Sequence, residues 1–182
     1  MRSRSDARNA RTPARRGQHV RHVRIEDPDL SQFSEGITVS DLSRDRFNSV
    51  PSGCGVYVLI RVAKSRPRFL KTSQAGWFKG LDPSYPVANV RTAWVEGAPL
   101  VYVGKAAGAE GLKQRVRQLI SFGLGKPIGH RGGRMLWHLS DHRRLLLRWR
   151  RCPRAQADRL ETRLIAEFRN SYGKRPFANR RK

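Results

Sequence analysis

Each of the two amphipathic helical stretches in this chain carries one charged residue inside its apolar stripe. Over residues 111–122, Leu112, Val116, Leu119 and Ile120 repeat at helical spacing, and Arg115 falls among them, three after Leu112 and four before Leu119. Near the carboxyl end, Ala157, Leu160, Leu164, Ile165 and Phe168 make a second stripe. Glu161 lies within it, four after Ala157 and seven before Phe168, whereas Arg159, Thr162 and Arg163 point away. An ion taken from water without a partner is strongly disfavoured, so the fold must compensate both. Two solutions are open. The charges pair with each other as an internal salt bridge, or the guanidinium meets a phosphate through its planar donor fork while the carboxylate holds a divalent cation.

The remaining apolar residues form short runs suited to strands. Ser52-Gly53-Cys54-Gly55 is a turn leading into Val56-Tyr57-Val58-Leu59-Ile60, Pro99 to Gly104 gives a second run, and Leu145 to Trp149 a third. Glycines and Pro127 end the first helix at about Phe122 and lead to His130-Arg131-Gly132-Gly133-Arg134. Met135 to Leu139 fits a short helix or a strand. Pro153 opens the last helix, which reaches about Tyr172 before Gly173. The connection 63–98 is long for a plain loop and carries Trp77, Phe78, Tyr85 and Trp94 among Lys and Arg, so it is expected to be structured. It either covers the sheet edge or presents aromatics that stack on bases. Residues 1–24 are Arg-rich with almost nothing to bury and read as a disordered tail. Residues 25–50 are transitional, with Ile37, Val39, Leu42 and Phe47 supporting a short helix packed on the edge of a domain spanning 51–182.

Composition narrows the partner. The 182 residues suffice for one core, and 38 Lys+Arg against 14 Asp+Glu give a formal net charge of +24. Such an excess repels itself when compact and is relieved by a polyanion, whose condensed counterions are released on binding. DNA is the expected partner, with RNA also compatible. Cys54 and Cys152 stand far apart in sequence with no Cys-x-x-Cys or zinc spacing, so neither a disulfide framework nor structural zinc is expected, and a reducing cytoplasm fits. No run is long and apolar enough for a membrane span, and none resembles a secretory signal.

Tyr57 and Tyr102 each close an apolar run and can bring phenol oxygens to one edge of a small sheet; an ordinary role as amphipathic core residues is the alternative. Taken together, Gly55-Val56-Tyr57, Tyr102-Val103-Gly104-Lys105, Leu112-Lys113-Gln114-Arg115, Leu160-Glu161-Thr162-Arg163-Leu164-Ile165 and Pro176-Phe177-Ala178-Asn179 resemble, in order, the five signature elements of the GIY-YIG nucleases. The resemblance covers about residues 50–180. Two departures are an interval of about 45 positions between the tyrosines, which makes 63–98 an insertion, and extra residues from Ala107 to Glu110.

The resemblance implies an α/β domain with a central three-stranded antiparallel sheet flanked by helices. It also implies hydrolysis of DNA phosphodiesters with one divalent cation, Mg²⁺ or Mn²⁺, held by Glu161. Arg115 would stabilise charge on the phosphorane, Tyr57 or Tyr102 would orient or deprotonate the attacking water, and Asn179 would orient a phosphate or a catalytic side chain. A phenol with a pKa near 10 needs positive charge nearby to act as a base, and Lys105 is the candidate source. His130 competes for the base role through its intrinsic pKa, with a loop histidine beside a glycine turn as the alternative. A nucleic-acid-binding module that keeps the fold without turnover is the competing function.

Overall fold

The computed structural model describes residues 27–130 and 132–179. The expected disordered tail, 1–24, lies outside them. The three apolar runs are strands: β2 (Gly55–Ile60), β3 (Leu100–Ala106) and β4 (Leu146–Arg151), all antiparallel to their neighbours. A fourth strand corrects the expectation of three. Ile37–Thr38, in the transitional segment, forms β1 and pairs with β4 through Ile37↔Leu147 and Thr38↔Leu146, giving the order β1-β4-β2-β3. A two-residue strand needs no propensity pattern of its own, because β4 supplies the unpaired backbone groups that template it.

Helix α1 (Val39–Arg44) follows directly, with Thr38 as a side-chain N-cap on the Asp41 amide. Helix α3 (Gly111–Gly123) and helix α4 (Arg154–Tyr172) match the predicted stretches, while the short α2 (Val87–Ala93) lies in the insertion. Met135 to Leu139 resolves mainly as a 3-10 turn, Arg134–His138.

Alternation along the strands sorts the core into two layers. Tyr57, Leu59 and Tyr102 face α3, whose Leu112, Val116, Leu119 and Ile120 are fully buried. Val56, Val58 and Val103 face α4 through Ala157, Leu160, Leu164 and Phe168. Each fully buried Leu or Phe in these layers stabilises the fold by roughly 1.5–3 kcal/mol. Glycine-capped ends fix the helices. Gly173 ends α4 in the left-handed region at φ 68°. At the start of α3, Gly111 has φ +66° and packs against the Gly53 backbone, while the amides of Leu112 and Lys113 donate to Gly53 O at 2.7 Å and Pro51 O at 3.2 Å.

Strand β3 is the sheet's edge, and the tail at 176–179 closes part of it. Ala178 N donates to Val101 O at 2.9 Å. The Asn179 carboxamide accepts from Val103 N at 2.9 Å and donates to Val103 O at 2.7 Å. The insertion is anchored to α3 by Gly76 N donating to Phe122 O at 2.8 Å, and its tip turns through Trp77 to Leu81. At that tip Phe78 packs on Gly129, whereas Trp77 and Leu81 are 58% and 71% exposed. Among the described residues no helix is long and apolar enough to cross a membrane.

Candidate active-site cleft

A cleft of about 610 Å³ opens where the tail stops covering β3. Tyr57 from β2, Tyr102 and Lys105 from β3, Arg115 from α3 and Glu161 from α4 all line it. The sheet register explains the meeting of the phenols. Tyr57 lies opposite Gly104 and Leu59 opposite Tyr102, so the two tyrosines are diagonal neighbours on one face, with ring centroids 6.1 Å apart at 52°. Gly104 makes the space between them: a Cβ there would stand 2.7 Å from the Tyr57 hydroxyl and 2.9 Å from the Tyr102 ring. The glycine is a steric requirement of the paired phenols.

The internal Arg115–Glu161 salt bridge that spacing allowed is not among the ion pairs of the described residues. The Glu161 carboxylate, 18% exposed, instead takes the Lys105 ammonium at 3.1 Å, and Lys105 also pairs with Asp158, one turn earlier on α4. Hydrogen bonding to Asp158, followed by that to Glu161, raises the Lys105 pKa above its ordinary value against the opposing effect of partial burial. Arg115 donates to Gln118 at 3.4 Å, and Gln118 in turn donates to Glu110 at 3.0 Å along the far wall.

Burial raises the pKa of both phenols. For Tyr57 the desolvation is opposed by the charge of Arg115 and by hydrogen bonding from Tyr102 and Arg115. For Tyr102, burial is joined by the neighbouring Tyr57, and its pKa too is raised, well above the ordinary value.

Two candidate residues lie outside the cleft lining. Asn179 spends its carboxamide on both backbone groups of Val103, a strand-clamping role. His130 is 3% exposed, neither ring nitrogen has a partner, and burial together with the Arg115 charge lowers its pKa to about 3. A ring that weakly basic holds no proton near neutrality. It sits behind Tyr102: a Cβ on Gly132 would be 2.5 Å from the Tyr102 hydroxyl and 3.5 Å from His130 Nε2.

Sequence reasoning missed Asp158, Arg154 and Glu110, which also line the cleft. Asp158 carried one usable signal, its place one helical turn before Glu161. With Lys105, Arg115 and Arg154 against Glu110, Asp158 and Glu161, the lining is close to neutral, in contrast to the chain as a whole. A phosphodiester entering it would add negative charge beside carboxylates, and a divalent cation on those hard oxygens would reverse the imbalance. Among the described residues no group of three or more His, Cys, Asp or Glu side chains is placed to hold a metal, so such a cation would depend on Glu161, with Asp158 beside it, plus water and phosphate oxygens.

No protein-family model, no curated protein and no solved structure matches this chain. What the chain can do chemically has to be read from the cleft.

Proposed function

We propose that this protein is a metal-dependent endonuclease of the GIY-YIG type that hydrolyses phosphodiester bonds in DNA. One observation carries the reading: two phenols, a guanidinium, an ammonium and a half-buried carboxylate, drawn from four separate elements, meet in a single cleft. Phosphodiester hydrolysis needs a positioned nucleophile, neutralisation of charge on the phosphorane and stabilisation of the leaving oxygen. Mg²⁺ or Mn²⁺, held by Glu161 with Asp158 adjacent, would supply Lewis-acid charge against the phosphate and the departing oxygen. Arg115 binds non-bridging phosphate oxygens. The Tyr57 phenolate, steadied beforehand by a hydrogen bond from Tyr102, takes the proton of the attacking water and becomes the neutral phenol. Lys105, once Glu161 is engaged elsewhere, adds positive charge near both.

The tip of the insertion supports a nucleic-acid substrate. Trp77 and Leu81 stand exposed beside Lys79, whose ammonium lies 5.7 Å from the Phe78 ring, on a wall braced through Gly129. Exposed aromatics among cations stack on unpaired bases while the cations follow the backbone.

One contact favours the second reading, a binding module without turnover: Lys105 already neutralises Glu161. Incubating the protein with plasmid DNA, with and without Mg²⁺, beside Glu161→Ala separates the two. Metal-dependent cutting that disappears in the variant while DNA binding persists supports the nuclease. Salt-sensitive binding with no cutting in either protein supports the module.

A further inference from the structure

We propose that Cys54 and Cys152 form a dithiol site which a peroxide, or a small disulfide such as oxidised glutathione, converts into an intramolecular disulfide joining β2 to β4. The two cysteines are remote in sequence, and the sheet register removes that distance. The β2–β4 ladder ends at Gly55↔Arg151, and one step further Cys152 N donates to Cys54 O at 3.2 Å. Residues bonded in this way across an antiparallel pair have Cα atoms about 5.5 Å apart and side chains on one face. That separation lies within the range a disulfide spans. Both thiols are free and half-buried, and both line one groove with Arg151, Pro153 and Arg154.

The surroundings favour one order of events. Burial raises the Cys152 pKa and disfavours its thiolate, which suits that sulfur to the second, resolving step. The Cys54 thiolate attacks a peroxide oxygen, the O–O bond breaks, and hydroxide leaves as water after taking a proton. Cys152 sulfur then displaces the hydroxyl of the Cys54 sulfenic acid as a second water, so two thiols are oxidised and one peroxide is reduced. With oxidised glutathione, Cys54 first forms a mixed disulfide, which Cys152 resolves, releasing two reduced glutathione thiols in all. The site is independent of the nuclease reading, although Arg154 lines this groove and the catalytic cleft alike and opens the helix bearing Glu161.

The test uses the full chain, reduced and then treated with hydrogen peroxide or oxidised glutathione. Intact mass lower by two hydrogens, a Cys54–Cys152 cross-linked peptide after digestion, and a Tm raised by oxidation and restored by reductant support the site. The Tm response should vanish in Cys54→Ser and in Cys152→Ser. Two thiols still titratable after oxidation, a persistent glutathione adduct, or covalent dimers in place of the internal link would overturn it. The mass measurement on the unaltered chain decides the matter even where a serine variant folds poorly.

Discussion

The Lys105 ammonium lies 3.1 Å from the Glu161 carboxylate, at the position a cation would take. Under the proposed function, lysine and metal would compete for one acid. Replacing Lys105 with Ala should tighten Mn²⁺ or Mg²⁺ binding by roughly two- to fivefold, the equivalent of about 0.5–1 kcal/mol for a part-exposed ion pair, while lowering cleavage. Calorimetric metal titration of the two proteins reads the first effect, and unchanged or weaker binding in the variant would remove the competition.

Burial raises the pKa of Tyr57, the proposed base, so its phenolate is scarce at neutral pH and grows about tenfold per pH unit below that pKa. Cleavage should rise with pH at a slope near one between about pH 7 and 9. Tyr57→Phe should abolish the slope and reduce the rate by about 10²–10⁴-fold, whereas Tyr102→Phe should keep the slope. A Tyr57→Phe protein with normal rate and slope would move the base elsewhere.

His130 gives a stability signature that needs no substrate. Its folded-state pKa of about 3 lies below the unfolded value near 6.5, so the unfolded chain binds the extra proton between those limits. The associated stability is present above pH 6.5 and is lost as pH falls through this window. His130→Phe should lose less stability than the parent between pH 7 and 4.5, by on the order of 2–3 kcal/mol in urea unfolding. Parallel curves for the two proteins would contradict the buried, uncharged ring.

Trp77 separates stacking from charge. Trp77→Ala should weaken binding of single-stranded or frayed DNA by about 1–3 kcal/mol while leaving the slope of log K against log salt unchanged, because no cation is lost. An unchanged affinity would assign the tip to covering the domain edge.

Much of this architecture was legible from local pattern. Helical periodicity located α3 and α4 and singled out Arg115 and Glu161, because a charge in an apolar stripe is visible without any tertiary knowledge. Their partners were not legible. Spacing left a direct pair open, and it is Lys105, from an edge strand on α4's side of the sheet, that reaches Glu161. Asp158 is 60% exposed on its helix and looks like an ordinary surface acid until Lys105 is placed beside it. Strand β1 and the facing cysteines depend on register, a property of the assembled sheet that a single strand's residues do not encode. Asn179 was found by motif, but its use as a backbone clamp required the path of the tail.

That clamp has a consequence beyond the cleft. An outermost strand rich in valine, with bare amides and carbonyls along its flank, invites a second molecule to extend the sheet. Residues 176–179 take those groups at Val101 and Val103 first. The closing segment thus leaves fewer open groups for strand-by-strand self-association, a hazard that would grow wherever a polyanion neutralised the chain's charge.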